Sequence, residues 1–65
     1  MAENEKNKGN EALKSNDIKE ALEYYTKSIE YDPTLAAAFC NRSLIHLKLK
    51  NFGKAIEDAN KAISL

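Results

Sequence analysis

The 65-residue sequence contains one Cys, one Pro, one His, one Met, two Gly and no Trp, and each scarcity excludes something. Cys40 has no second cysteine to pair with, and one Cys with the single His46 cannot supply a zinc ligand set, so neither a disulfide nor a metal staples the chain. Two glycines, Gly9 and Gly53, stand too far apart to form a Gly-rich phosphate loop. No run approaches the length of apolar residues needed to span a bilayer, and Met1-Ala2-Glu3-Asn4-Glu5-Lys6 is too polar for a signal peptide, which places the chain in the cytoplasm. Ten Lys plus Arg offset ten Asp plus Glu, so net charge gives no drive toward nucleic acid or an anionic membrane. No nucleophile, base and orienting group can be assembled, and the expectation is a non-enzyme with no cofactor and no metal. A core of this size supplies about 3–5 kcal/mol, so stability has to come from helix packing or from a neighbour.

What the sequence does contain is a repeat. Comparing residue i with i+34 gives eight identities in 31 pairs, among them Asn7/Asn41, Leu13/Leu47, Ala21/Ala55, Glu23/Glu57 and Ile29/Ile63, where chance gives about two. Charge divides unevenly over the two copies: residues 1–33 carry five positive and eight negative side chains, residues 34–65 five and two. Within each copy the apolar residues follow helical spacing. Ile18, Ala21, Leu22, Tyr25, Ser28 and Ile29 form one stripe, which Phe52, Ala55, Ile56, Ala59, Ala62 and Ile63 repeat. Small residues in those stripes let a neighbouring helix approach closely.

Turn chemistry sets the breaks. Ser15-Asn16-Asp17 interrupts the first pattern, and Asp17 with Glu20 forms a capping-box arrangement. Pro33 ends the second helix and Thr34 is the expected N-cap of the third, while Lys50-Asn51 makes the last turn. Four helices are predicted, at about 2–15, 18–31, 35–49 and 52–64, with connections short enough to make neighbours antiparallel.

These residues resemble the tetratricopeptide repeats, a family of 34-residue helix-turn-helix units. Gly9, Ala12, Ala21, Tyr25, Ser28 and Pro33 of the first copy, and Phe39, Ser43, Ala55, Ala59 and Ala62 of the second, stand at the family's small or aromatic positions. Glu5 and His46 depart from the pattern, which favours a large apolar residue and an aromatic there. The resemblance implies an all-α fold: one domain over 1–65, with four antiparallel helices in a short right-handed solenoid. Repeat 1 covers about 2–35; repeat 2 covers about 36–65, truncated and without a capping helix.

Within the family the residues resemble co-chaperone members, whose dicarboxylate clamp grips the C-terminal carboxylates of heat-shock chaperones. Lys6-Asn7-Lys8-Gly9-Asn10 matches the clamp's first-repeat motif, and Asn41-Arg42-Ser43 the second. The resemblance implies peptide-carboxylate binding by Lys6, Asn10 and Asn41. Taken singly, each of the three reads as a solvated polar side chain; it is the shared register that argues for a clamp. Lys6 and Asn10 stand four apart on one helix face, and carboxylates need the ammonium and amide donors these residues carry. The family's clamp adds a Lys and an Arg from a third repeat, so two repeats hold about half of it.

The remaining polar residues invite plainer roles. Cys40 is expected as a partly buried small hydrophobe beside the groove, His46 as a packing residue between the helices of repeat 2, and the lysines at 48, 50 and 54 as a solvated basic end. The sequence therefore predicts a protein-interaction module whose partners are acidic C-terminal tails of heat-shock chaperones. The alternative is an excised or engineered two-repeat fragment that self-associates through an uncapped last helix, where Ala59, Ile63 and Leu65 lie uncovered.

Overall fold

In the computed structural model, which describes all 65 residues, the apolar periodicity becomes α1 (Ala2–Lys14), α2 (Ile18–Tyr31), α3 (Ala36–Lys48) and α4 (Phe52–Ser64), with no strand. Each helix packs on the next in chain order. The result is an all-α helical solenoid of two repeats, within a residue or so of the predicted helix boundaries. Its short axis is only 14 Å against 27 Å for the other two, so every helix keeps a solvent face and 13 of 65 residues are buried.

The two intra-repeat turns are copies of each other. Asn16 and Lys50 both take the left-handed conformation at φ 63°. The amide of Asp17 donates to the Ala12 carbonyl and that of Asn16 to Leu13; Asn51 donates to His46 and Lys50 to Leu47. Both helices thus end in a Schellman motif, which satisfies carbonyls the helix leaves open. That geometry corrects the expected capping box. Asp17 makes no side-chain cap hydrogen bond to α2, and its amide, the donor that Glu20 would accept in a capping box, is committed to closing α1. The third helix also departs from expectation: Leu35, not Thr34, occupies the N-cap position. Thr34 instead donates its amide (3.0 Å) and its hydroxyl (2.6 Å) to Asp32 Oδ1. Asp32 and Thr34 brace the turn around Pro33, and the carboxyl of Asp32 is held below its usual range by those two donors.

The small residues work where they were expected. Ala12, Ala21, Tyr25 and Ile45 form the core, with Leu13, Ile18, Leu22 and Tyr24 packed against it. Gly9 faces the Tyr25 ring so closely that a Cβ there would stand 2.7 Å from Cε1 and 2.8 Å from Cδ1. Buried serines tie helices together through backbone. Ser28 Oγ donates to the Ala2 carbonyl and Ser43 Oγ to the Ala55 carbonyl, each at 2.7 Å. Such bonds give each buried hydroxyl an acceptor in a dry interface.

The apolar stripe of α2 packs against both α1 and α3, whereas its 34-residue counterpart on α4 packs against α3 and leaves its large residues open. Ile63 is 83% exposed, Ile56 61% and Phe52 59%.

Candidate carboxylate-binding groove

The first helix of each repeat, α1 and α3, supplies the candidate residues. Asn10 and Asn41, 31 residues apart in the chain, meet across the repeat boundary: Asn41 Nδ2 donates to Asn10 Oδ1 at 3.2 Å. Both are half-buried. Lys6, one turn before Asn10 on α1, makes no hydrogen bond to either amide and pairs with Glu3 at 3.2 Å. An i,i+3 pair of this kind, with Glu3 well exposed, is worth a few tenths of a kcal/mol and is readily displaced. The structure therefore joins two of the three sequence-predicted residues directly and sets the third on the same helix face. A cleft lined by Asn7, Asn10, Glu11, Leu13 and Lys14 opens beside the pair.

Asn10, which taken singly reads as a solvated side chain, also has a packing role. The Tyr25 hydroxyl, from a side chain with no solvent exposure, donates to Asn10 Oδ1 at 2.5 Å. Burial also pushes the phenol pKa up, which keeps it a protonated donor. With both donors on its oxygen, Asn10 turns its NH2 group away from Tyr25 and Asn41. No spacing rule would have found this contact, because it joins positions 15 apart on two different helices.

Cys40 is corrected: its register on α3 leaves it exposed, not partly buried. Glu5, the departure from the family pattern, has a side chain only 13% exposed and pairs with Lys8 at 3.3 Å. Ion pairing thereby accommodates a carboxylate where repeat 2 places the buried Phe39.

A second polar cluster lies between α3 and α4, away from the groove, and was not anticipated. Arg42 grips Asp58 with two hydrogen bonds, Nε to Oδ2 at 2.7 Å and Nη2 to Oδ1 at 2.8 Å. Its guanidinium also lies over the Phe39 ring. The Asp58 bond raises the Arg42 pKa, and the fork explains how an aspartate that is 6% exposed is tolerated. His46, buried as expected, places Nε2 3.5 Å from Asp58 Oδ2, while its Nδ1 has no partner. Burial lowers the His46 pKa; Asp58 opposes the shift, and Arg42 and Lys54 reinforce it. A signal for the cluster did exist, since an acidic residue facing α3 demands a cation, but its partner is fixed only by tertiary packing. No helix is long and apolar enough to cross a membrane.

Comparison with known proteins agrees with this architecture. Tetratricopeptide repeat family models match residues 2–35 and 36–65. The rat protein Sperm-associated antigen 1 is 46% identical over 65 residues, all of this chain and 7% of its own length. Hsp70-Hsp90 organizing protein 2 of Arabidopsis thaliana is 38% identical over 65 residues, all of this chain and 11% of its own. The Small glutamine-rich tetratricopeptide repeat-containing protein of Dictyostelium discoideum is 46% identical over 63 residues, 97% of this chain and 19% of its own. The chain thus spans less than a fifth of the length of each of these relatives. With two matched repeats that tile the sequence and a four-helix solenoid to match, the chain belongs to the tetratricopeptide repeat family, as a protein-interaction module.

Proposed function

We propose that the groove between α1 and α3 binds the C-terminal carboxylate of a partner protein's acidic tail, with heat-shock chaperones as the partners. The observation that carries this reading is the Asn10–Asn41 contact, which brings one amide from each repeat to a single point, one helical turn from Lys6 on α1. A carboxylate offers acceptors only, and this spot offers donors: the Asn10 NH2, the second Asn41 hydrogen and the Lys6 ammonium. Binding would exchange the Glu3–Lys6 pair for a stronger charge-assisted bond. One relative, Hsp70-Hsp90 organizing protein 2, carries Hsp70 and Hsp90 in its name, which supports the choice of partner.

The test is a calorimetric titration with a peptide ending in Glu-Glu-Val-Asp beside the same peptide amidated at its C-terminus. Binding of the free acid alone, abolished by Lys6→Ala, is expected. Equal binding of both peptides, or of neither, refutes the reading.

A second reading, self-association, rests on the exposed Phe52, Ile56 and Ile63 of α4. Sedimentation at high concentration decides it: a strictly monomeric species overturns self-association and leaves the carboxylate reading standing.

A further inference from the structure

We propose that Tyr25 is a positioning residue for the groove: its buried hydroxyl fixes which end of the Asn10 amide faces the ligand. This inference rests on the carboxylate reading above for its ligand, and on the geometry alone for the orientation. Asn10 can place either its oxygen or its NH2 group toward the groove, and only the NH2 suits an acceptor ligand. Tyr25 has no solvent exposure, so its phenolic proton must find a protein acceptor, and Asn10 Oδ1 at 2.5 Å is the one it has. Asn41 Nδ2 donates to the same oxygen. Flipping Asn10 would leave the Tyr25 proton without an acceptor and set two NH2 groups against each other. The amide is therefore held donor-outward before any ligand arrives, and a ligand need not reorder it.

The repeat provides an internal comparison. At 34 residues further on, Asn10 becomes Leu44, Tyr25 becomes Ala59 and Gly9 becomes Ser43. All three members of the arrangement are present in repeat 1 and all three are replaced in repeat 2. Gly9 belongs to the set because a Cβ there would overlap the Tyr25 ring, so its absence is what lets the phenol reach Asn10 beneath α1. Repeat 2 contributes Asn41 from a different register position, one whose counterpart in repeat 1 is Asn7. Tyr25 itself need not touch the ligand.

The test is Tyr25→Phe, which keeps the ring against Gly9 and removes only the hydroxyl. Affinity for the free-acid Glu-Glu-Val-Asp peptide should fall roughly three- to tenfold, the effect of one hydrogen bond. The loss should vanish in an Asn10→Ala background, since the hydroxyl then has no amide to orient. A merely structural role would lower affinity equally in both backgrounds, and that result overturns the proposal. The free protein supplies an independent arm through nuclear relaxation of the Asn10 side-chain amide. It should be ordered in the parent chain and mobile in Tyr25→Phe; equal order in the two refutes the positioning role even where no peptide binds. Failure of the parent chain to bind the peptide, with that amide ordered by Tyr25, would instead locate the error in the carboxylate reading.

Discussion

Replacing Gly9 by alanine sets two opposed effects of known size against each other. In an exposed helix the change stabilises by about 1 kcal/mol, because glycine loses more backbone freedom on folding than alanine does. At position 9 the new methyl would stand 2.7, 2.8 and 3.0 Å from Cε1, Cδ1 and Cζ of Tyr25. Those are atoms of a ring with no solvent exposure, so the contact cannot be relieved by swinging a flexible tip. Overpacking of this kind costs about 1–3 kcal/mol, and the ring's displacement also lengthens the bond to Asn10. The sum should be a net loss of up to about 2 kcal/mol, a fall in melting temperature of up to roughly 15 °C for a domain of this size. Gly53→Ala is the matched control, since nothing lies within 4 Å of its Cβ position; it should stabilise by about 0.5–1 kcal/mol. Urea denaturation of both variants with a common slope gives the two signs. A Gly9→Ala variant as stable as Gly53→Ala would show that α1 does not need its close approach to Tyr25, and the account of this position would fall.

Arg42→Ala should cost about 3 kcal/mol by leaving Asp58 buried without its guanidinium, and a denaturation loss below about 1 kcal/mol would contradict that packing account. His46 has a folded pKa below its ordinary value, with burial the main cause and Asp58, Arg42 and Lys54 the charged groups that face it. The unfolded chain therefore binds the proton first as pH falls. This contribution to stability is present in full above the ordinary histidine range and is lost as pH drops below about 6.5, with a slope of at most about 1.4 kcal/mol per pH unit. Melting curves of the parent chain and His46→Leu from pH 7.5 to 5.5 test it, and parallel profiles would refute it. Lys50→Gly should raise stability by about 0.5 kcal/mol, because Lys50 holds a left-handed φ of 63° that glycine adopts without strain; an unchanged or lowered melting temperature would show that the strain is absent.

Much of this was readable in the chain. Phe52, Ala55, Ile56, Ala59 and Ile63 repeat Ile18, Ala21, Leu22, Tyr25 and Ile29 at a fixed shift, and periodicity of that kind specifies a helix whatever it packs against. The turns proved less legible than the helices. Asp17 and Thr34 have the side chains of N-caps, yet Asp17 spends its amide closing α1 and Thr34 spends its hydroxyl on Asp32. Capping propensity weighs one helix end at a time, whereas a connection of three or four residues must satisfy two ends at once. Cys40 was misplaced for a related reason: its apolar character suggested burial, but its register on α3 faces solvent.

The candidate site divides along the same line. Helix number, repeat length and the shared face of Lys6 and Asn10 all follow from local spacing, because a helix fixes the direction of each side chain from its position alone. The meeting of Asn10 with Asn41, the hydroxyl of Tyr25 behind them, and the Arg42–Asp58–His46 cluster join residues 12 to 31 apart on different helices. Those pairings depend on how far each helix is rotated and translated against its neighbour. The close approach of backbones at Gly9, Ala21 and Ala55 sets that docking, and it exists only once the helices have packed.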